Sequence, residues 1–344
     1  MQEGPPRGSF TSGLIWMIIN ILATIGIVFT NKAIFSDPSL KLAQLTFACF
    51  HFLVTYLTLF ILSRPALAFF TPRRVPLLDI LPLSLAMSLN VILPNLSLAF
   101  STVTFYQIAR ILLTPTVALL NYVLYGATLP RGAILALIPA CIGVGMVSYY
   151  DSLPPPPPPP PPTAATIISS STSPAIQMQT TTITTTTPLG IFFALAGTLA
   201  SSAYTVLIGA AHRRLRLSSM QLLLNQAPVS AVLLLYAIPF LDTWPAPAPA
   251  AAPGPGPAPA AAAAAGAAGR CWWGALIGLS GLFAAAINVS QFFIVARAGP
   301  VSSTVVGHVK TCAIVTLGWL VSGRGVGDKG GLIGVGIAVG GIIA

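Results

Sequence analysis

The chain has 344 residues, of which 55% are hydrophobic and only 6% are charged. Soluble domains carry about 25% charged residues, so this composition excludes a soluble globular protein and indicates a membrane protein. The formal net charge of +10 comes from 16 Lys and Arg against 6 Asp and Glu. The basic residues are scattered between apolar runs without a nucleic-acid-binding pattern, so an excess of positive charge on the cytosolic side of a membrane is the simpler interpretation.

Ten apolar segments approach the length of about 20 residues that a membrane-spanning helix needs. In chain order they lie at residues 14–34, 42–62, 77–99, 103–125, 132–150, 189–211, 218–241, 272–296, 301–322 and 329–344. Two low-complexity segments interrupt the series. Residues 151–187 contain nine consecutive prolines and then a Thr/Ser-rich run, and residues 244–270 are rich in Pro, Ala and Gly. We interpret both as linkers between spans, the Ala tract being able to form a helix.

The distribution of basic residues predicts an orientation. With the tail at residues 1–13 in the cytosol, nine basic residues fall on the cytosolic side of the predicted spans and four on the opposite side, in agreement with the positive-inside rule. Both termini are then cytosolic, and the linker at 151–187 and the loop at 244–270 are luminal. The nine are Arg7, Arg64, Arg73, Arg74, Arg131, Arg213, Arg214, Arg216 and Arg297.

The spans divide equally between two halves. Five lie in residues 14–150 and five in residues 188–344, and an odd number of spans per half inverts the second copy relative to the first. The predicted fold class is therefore an all-α polytopic membrane protein with ten transmembrane helices in two inverted five-helix repeats. Inverted repeats of this kind are typical of secondary transporters, whose substrate site lies near the bilayer midplane.

Three basic residues, Lys32, Arg110 and Lys310, fall inside or border predicted spans, and two of them lie deep. Arg110 is the eighth residue of its span and Lys310 the tenth of its own, so each lies roughly 10–15 Å into the bilayer at 1.5 Å per residue. A charge at such a depth costs about 2.5–3.5 kcal/mol on insertion scales. All six acidic residues fall in loops or at span ends. We therefore expect an anionic substrate to supply the counter-charge, since guanidinium and ammonium groups are the standard phosphate binders. The alternative is that each cation points along a water-filled channel or pairs with backbone carbonyls.

Helical spacing predicts which residues face this site. Gln107, Arg110 and Thr114 recur on one face of span four, and Gly307, Lys310 and Thr311 form a stripe in span nine. His308 is about 200° of arc from Lys310. We expect it to form a hydrogen bond between helices, with a ligand or proton-relay role as the alternative. Asn90, Asn95, Asn288 and Gln291 are candidate contacts for a base or sugar, and Tyr106 for stacking on the base.

The sequence contains no recognisable catalytic motif. There is no G-x-S-x-G, H-E-x-x-H or P-loop pattern, and the three histidines are far apart in the chain. The four cysteines lack the spacing of a disulfide framework or a zinc site. The predictions are accordingly no enzyme activity, no cofactor and no metal.

Four stretches resemble the triose-phosphate translocator/nucleotide-sugar transporter family, the solute carrier 35 branch of the drug/metabolite transporter superfamily. They are FTNKAIF (29–35), YQIARILLTPTVALLNY (106–122), QLLLNQAPVSAVLLL (221–235) and GHVKTCAIVTLGWL (307–320). The resemblance implies a Golgi or endoplasmic reticulum membrane and exchange of a cytosolic nucleotide sugar for a luminal nucleoside monophosphate. It also implies that Arg110 and Lys310 hold the substrate phosphate, and that Lys32 occupies a basic position of span one.

Departures from the family pattern narrow the prediction. Arg110 stands where the family usually has lysine, and Lys310-Thr311 stands where plastid sugar-phosphate translocators have Lys-Arg. The Lys-Thr pair looks most like that of UDP-sugar carriers, so a UDP-sugar is the expected substrate. The alternatives are a sugar-phosphate or phosphoenolpyruvate/phosphate antiporter, and a transport-inactive membrane scaffold or regulator. Membrane lipid is an expected partner, nucleic acid is not, and a homodimer is left open. The predicted substrate-binding residues are Arg110, Lys310, Thr311, Thr114, Gln107, Lys32, Gly307, Asn95 and Asn288.

Overall fold

The computed structural model describes residues 8–34, 43–101, 109–128, 130–151, 187–242, 259–321 and 329–343. These residues form helices and short connections, with no strand among them. The predicted linkers fall mostly outside the described residues, as do residues 1–7. The helices are α1 (Gly8–Ile34), α2 (Gln44–Leu62), α3 (Leu77–Phe100), α4 (Leu113–Tyr125), α5 (Arg131–Asp151), α6 (Pro188–Leu215), α7 (Ser219–Leu241), α8 (Pro259–Val321) and α9 (Lys329–Ile343).

Six apolar helical stretches in the described part of the chain have the length and composition needed to cross a membrane. Two shorter apolar helical stretches, Ala109–Tyr125 and Arg131–Met146, accompany them. Large apolar side chains such as Leu78, Tyr236 and Phe240 are exposed on the outer surface, where a soluble protein would carry polar ones. The prediction of an all-α polytopic membrane protein is therefore confirmed. The ten spans and their inverted repeat are a finer prediction that these features do not decide.

Helix α8 is divided by a sharp kink at Gly299, whose φ and ψ angles are 86° and 170°. Glycine adopts this conformation readily, whereas a residue with a Cβ atom does not. Pro300 follows and has no N–H group for the helix ladder, so both residues favour a break here. We call residues 259–298 the first arm of α8 and residues 300–321 the second arm. The sequence prediction separated two spans at the same place, between residues 296 and 301.

Helix α1 packs antiparallel to the first arm of α8. Trp16 stacks on Phe293 with 4.2 Å between the ring centroids. Further along α1, Gly26 faces the ring of Phe283, which lies so close that a Cβ atom at residue 26 would approach it to within 2.6 Å. The missing side chain thus allows the two helices to approach each other closely, as small residues do at helix interfaces in lipid.

Helices α3 and α6 form a second antiparallel pair. At one end Arg214 Nη2 lies 2.7 Å from Asp79 Oδ1, and at the other Ser97 Oγ donates to the Gly190 carbonyl at 3.3 Å. Gly190 packs against the backbone of Phe100, where a Cβ atom would lie 2.3 Å from the carbonyl oxygen. This pair therefore has a close backbone contact at one end and an ion pair at the other.

Helices α2 and α7 also run antiparallel. Asp242, which follows α7, accepts hydrogen bonds from the backbone N–H groups of Leu45 and Thr46 at 3.1 and 2.7 Å, and one from the Thr46 hydroxyl at 2.7 Å. These N–H groups have no partner within the helix, and the carboxylate complements the positive end of the α2 dipole. The C-terminal end of α7 therefore caps α2.

A last antiparallel pair joins α5 and α9 through small residues. A Cβ atom at Gly143 would lie 2.2 Å from the Ala338 nitrogen, and one at Gly341 would lie 2.5 Å from the Ala140 nitrogen. These contacts are between backbones, so neither helix can give way by a side-chain rotation.

Most described arginines lie at one end of the bundle, which we call the basic end. It contains the loops that join α2 to α3, α4 to α5 and α6 to α7, together with the kink of α8. The loops contact one another there: Arg214 pairs with Asp79, and the Arg213 guanidinium lies 5.2 Å from the ring centroid of Tyr125. The basic end carries Arg64, Arg73, Arg74, Arg131, Arg213, Arg214, Arg216 and Arg297.

Candidate functional site

Arg110 lines a polar cavity between α3, α6 and the short stretch that precedes α4. The cavity has a volume of about 250 Å³, and the Arg110 side chain is exposed. No carboxylate is present among the lining residues that the structure describes. These are Asn90, Val91, Pro94, Asn95, Ala109, Arg110, Leu113, Ala194, Gly197, Thr198 and Ser201.

The polar side chains beside Arg110 are held in place by hydrogen bonds within and between α3 and α6. Asn95 Nδ2 donates to the Val91 carbonyl at 2.9 Å, and Ser201 Oγ donates to Asn90 Oδ1. Thr198 Oγ1 donates to the Ala194 carbonyl at 2.9 Å. The structure thus brings the predicted residues Arg110 and Asn95 together, along with Asn90. It adds Thr198 and Ser201, which sequence reasoning missed because small polar residues in a span resemble ordinary packing residues.

Lys310 is held by a network that joins three helical segments. Its Nζ atom donates to Asn20 Oδ1 at 2.8 Å, and the lysine side chain is half-buried in the second arm of α8. Asn20, in α1, is completely buried and donates from Nδ2 to Ser290 Oγ at 2.7 Å and to the Ile287 carbonyl at 3.1 Å. The ammonium group is therefore bound by a neutral amide, and its positive charge is not neutralised by this contact.

Asn20 was not among the residues predicted from the sequence. The available signal was a single amide inside the first apolar span, where a polar group is costly unless it is hydrogen-bonded. Its partner Lys310 is 290 positions away in the chain. Sequence spacing could not connect the two, because the register of α1 against α8 is set by packing.

Lys310 is not among the described residues that line the cavity around Arg110. The two cations lie on neighbouring segments, because His308, two residues from Lys310, is hydrogen-bonded to Thr114 of α4, four residues after Arg110. Two like charges in a low-dielectric interior repel each other. Any anion that entered between them would relieve this repulsion.

His308 faces a different helix from Lys310, as its position in the sequence predicted. Its Nε2 atom and the Thr114 hydroxyl, both buried, form a 2.7 Å hydrogen bond that joins α4 to the second arm of α8. The interpretation of His308 as a residue that links helices agrees with this contact. Thr114, predicted as a substrate contact, is therefore engaged with His308.

The polar stripe predicted for span four is divided in the structure. Arg110 faces the cavity, whereas Thr114 faces His308. The Leu112 N–H group bonds to the Ala109 carbonyl three residues back, so the helix is locally tighter just before α4. An i to i+3 bond belongs to 3₁₀ geometry, which changes the angular spacing that a regular α-helix would give.

The other predicted residues occupy varied surroundings. Thr311 Oγ1 donates to the Gly307 carbonyl at 3.1 Å, and a Cβ atom at Gly307 would meet only open space. Asn288 Nδ2 donates to Thr55 Oγ1 at 3.1 Å, which ties the first arm of α8 to α2. Gln291 donates to Ser303 at 2.6 Å across the kink. Lys32 is exposed near the end of α1, and Gln107 and Tyr106 lie outside the described residues.

The donor set suits an anion better than a metal ion. Within the described ranges, no group of three or more His, Cys, Asp or Glu side chains could hold a metal. The site instead contains positively charged side chains and neutral hydrogen-bonding groups.

A bundle of apolar helices with an arginine in a polar cavity and a half-buried lysine is typical of the class of polytopic membrane transporters. Among curated proteins of Arabidopsis thaliana, UDP-rhamnose/UDP-galactose transporter 2 is 24% identical over 93% of this chain and 78% of its own length. UDP-xylose transporter 1 is 24% identical over 88% of this chain and 74% of its own length, and UDP-xylose transporter 3 is 23% identical over 100% and 82%. The resemblance to the nucleotide-sugar transporter family is therefore confirmed. These relatives are named as transporters and not as enzymes, which is consistent with the prediction of no enzyme activity.

No family model matches the chain. One solved crystal structure covers 96% of this chain and 95% of its own, with a TM-score of 0.60 and 14% sequence identity. At that identity the match supports the fold alone.

Proposed function

We propose that this chain transports a UDP-sugar by alternating access. It carries the UDP-sugar out of the cytosol in exchange for a nucleoside monophosphate from the lumen. Arg110 and Lys310 hold the substrate diphosphate in this proposal. The observation that carries it is the position of these two cations, one from each half of the chain, on neighbouring helical segments and accompanied by neutral polar groups. An empty site of this kind is costly to carry across the membrane because its charges repel, and this cost favours obligatory exchange.

The pattern of helix pairs supports an inverted repeat. If the two arms of α8 are counted separately, α1 corresponds to α6, and α3 corresponds to the first arm. The contact of α1 with the first arm then corresponds to the contact of α6 with α3. In the remaining two contacts, α2 with α7 and α5 with α9, each helix packs against the helix that corresponds to it in the other half. This exchange of partners is the relationship expected of two inverted five-helix repeats, at residues 14–150 and 188–344.

Substrate class and location rest on sequence and on the relatives. The Lys310-Thr311 pair resembles that of UDP-sugar carriers, and several relatives bear the names of UDP-sugar transporters. We place the basic end of the bundle in the cytosol, in accord with the positive-inside rule, which puts both termini there too. The proposed membrane is that of the Golgi apparatus, with the endoplasmic reticulum as the alternative.

Counterflow in proteoliposomes tests this proposal. Vesicles are preloaded with UMP, GMP, a triose phosphate or buffer, and uptake of radiolabelled UDP-sugars is measured. We expect rapid uptake only against UMP, and a loss of at least about tenfold for Arg110→Ala and Lys310→Ala, since each removes a charge-assisted hydrogen-bonding group that contributes roughly 1.5–3 kcal/mol.

Arg131→Ala provides the matched control, because Arg131 is an exposed cation at the basic end, outside the cavity. It should transport at the rate of the unmodified protein. Full uptake into vesicles without internal nucleotide or phosphate would contradict the exchange mechanism. Equal loss of folded protein in the Arg110 and Lys310 variants, measured by gel filtration, would show that the two cations are structural.

A further inference from the structure

A second cavity opens at the basic end, away from Arg110 and Lys310. It lies between the end of α2, the loop of residues 63–76 and the start of α7, with a volume of about 640 Å³. Three arginines, Arg64, Arg73 and Arg74, contribute to its lining, and all three side chains are exposed. Among its described lining residues there is no carboxylate, so the cavity has a strongly positive wall.

The loop that carries these arginines is fixed to α7 through its backbone. Gln221 Nε2 donates to the Thr71 carbonyl at 2.7 Å, and Asn225 Nδ2 donates to the Arg73 carbonyl at 2.8 Å. Asn225 Oδ1 also accepts from the Val75 N–H group at 3.3 Å. These contacts fix the backbone on both sides of Arg73 and Arg74. Because they involve only backbone atoms of the loop, they leave the two arginine side chains available to line the cavity.

Arg64 is oriented from the opposite wall. Its guanidinium carbon lies 3.8 Å from the ring centroid of Phe60, a cation–π geometry that holds the planar group in one orientation. The Ser63 hydroxyl donates to the Phe60 carbonyl at 2.8 Å and helps to end α2 there. Guanidinium groups fixed in this way match the two-oxygen geometry of a phosphate.

Large apolar side chains of the same loop and of the start of α3 are exposed, and one of them, Leu77, lines the cavity. Leu67 and Phe69 of the loop are 49% and 67% exposed, and Leu77 and Leu78 at the start of α3 are 60% and 80% exposed. Large apolar side chains next to arginines are characteristic of the boundary between headgroups and acyl chains. A soluble anion would gain nothing from this apolar surface, whereas the acyl chains of a lipid would.

We infer that this cavity binds the phosphate headgroup of an anionic phospholipid, with Arg64, Arg73 and Arg74 contacting the phosphate and the exposed apolar residues contacting the acyl chains. The site is separate from the proposed transport site, so it stands even if the transported substrate is a different one. A basic pocket between helices at the membrane surface is a suitable place for such a headgroup.

The test is a titration of the full chain, purified in neutral detergent, with phosphatidic acid, followed by native mass spectrometry. The Arg73→Gln/Arg74→Gln variant should bind about 25-fold more weakly, since each basic residue near the surface contributes roughly 1 kcal/mol, or about fivefold. Arg131→Gln/Arg216→Gln is the control, because it removes two exposed charges at the same end outside the cavity. It should change the affinity by less than about threefold.

Three outcomes would overturn the inference. One is equal weakening in the control variant, which would indicate a general response to positive charge. Another is binding of glycerol phosphate, which has no acyl chains, as tightly as phosphatidic acid. The last is binding of phosphatidylcholine as tightly as phosphatidic acid. Counterflow in phosphatidylcholine vesicles separates this site from transport: Arg73→Gln/Arg74→Gln should keep its exchange rate, and Lys310→Ala should keep its affinity for phosphatidic acid.

Discussion

Lys310 donates a 2.8 Å hydrogen bond to Asn20, so the cation of the second half of the chain is bound to the first helix of the first half. The bond is to a neutral oxygen, and a positive charge remains at this point. An amide in place of a carboxylate is what a reversible anion site requires, because a permanent counter-ion would compete with the substrate.

Replacing Asn20 by Asp should abolish exchange. The carboxylate would form an ion pair with Lys310 and supply the negative charge that we assign to the substrate, while keeping the size of the side chain. We expect UDP-sugar counterflow to fall by at least about tenfold, because a buried ion pair must be broken before phosphate can bind. The same amide-to-carboxylate change at the exposed Gln44 is the control and should leave counterflow unchanged. An Asn20→Asp variant with normal exchange would show that the charge of Lys310 is not needed for substrate binding.

The contact between His308 and Thr114 should be a structural link with a measurable coupling. Thr114→Val removes the hydroxyl and leaves a buried histidine nitrogen without its partner, so the melting temperature should fall. In a double-mutant cycle with His308→Ala, we expect a coupling free energy of about 0.6 kcal/mol, the average for such contacts in membrane bundles, and at most roughly 2 kcal/mol. Thr116→Val is the matched control, since Thr116 bonds only to its own helix, at the Leu112 carbonyl. Additive effects of the His308 and Thr114 substitutions would contradict the link.

Two adjacent glycines of α9 should respond in opposite ways to the same substitution. Gly341→Ala places a methyl group 2.5 Å from the Ala140 nitrogen of α5, and we expect a destabilisation of about 1–3 kcal/mol from overpacking. Gly340→Ala meets open space and should be neutral or slightly stabilising, because alanine favours the helix by up to about 1 kcal/mol. Thermal unfolding of the purified variants, followed by gel filtration, measures the difference. Equal melting temperatures would mean that α5 and α9 do not pack as described.

The kink of α8 should depend on glycine itself at residue 299. Gly299 has open space around its Cβ position, so a methyl group would not collide with a neighbour. Its φ and ψ angles of 86° and 170° are nevertheless strained for alanine, and Gly299→Ala should cost roughly 1–3 kcal/mol in unfolding free energy. Gly278→Ala, in the helical first arm and also without a near neighbour, is the matched control and should not destabilise. If both variants melt at the same temperature, the conformation of residue 299 is not the source of the kink.

Much of the fold could be predicted from the sequence because hydrophobicity and length determine it. The break before Pro300 and the positions of Arg110 and Lys310 followed from residues that are costly in a lipid-facing helix. The different directions of His308 and Lys310 followed from helical geometry alone. These predictions depend only on neighbours in the chain.

The remainder depends on how distant helices come into register. Asn20 could not be assigned to Lys310, because the contact is set by the packing of α1 against α8. The separation of Arg110 from Thr114 depended on a local tightening before α4, which a regular helical period does not include. Thr198 and Ser201 line the cavity around Arg110 only because α6 packs against α3. In each case the missing information was a contact between helices.

Because α8 bends at Gly299, a rotation of the second arm about this residue would move the side chains in proportion to their distance from it. Lys310 lies eleven residues beyond the kink, about 16 Å along the helix axis at 1.5 Å per residue. Swinging the arm by roughly 10° about residue 299 would displace Lys310 by about 3 Å at that length. Such a displacement is as large as the 2.8 Å hydrogen bond to Asn20 itself. A small angular change at one glycine is therefore enough to connect the lysine to α1 or to release it.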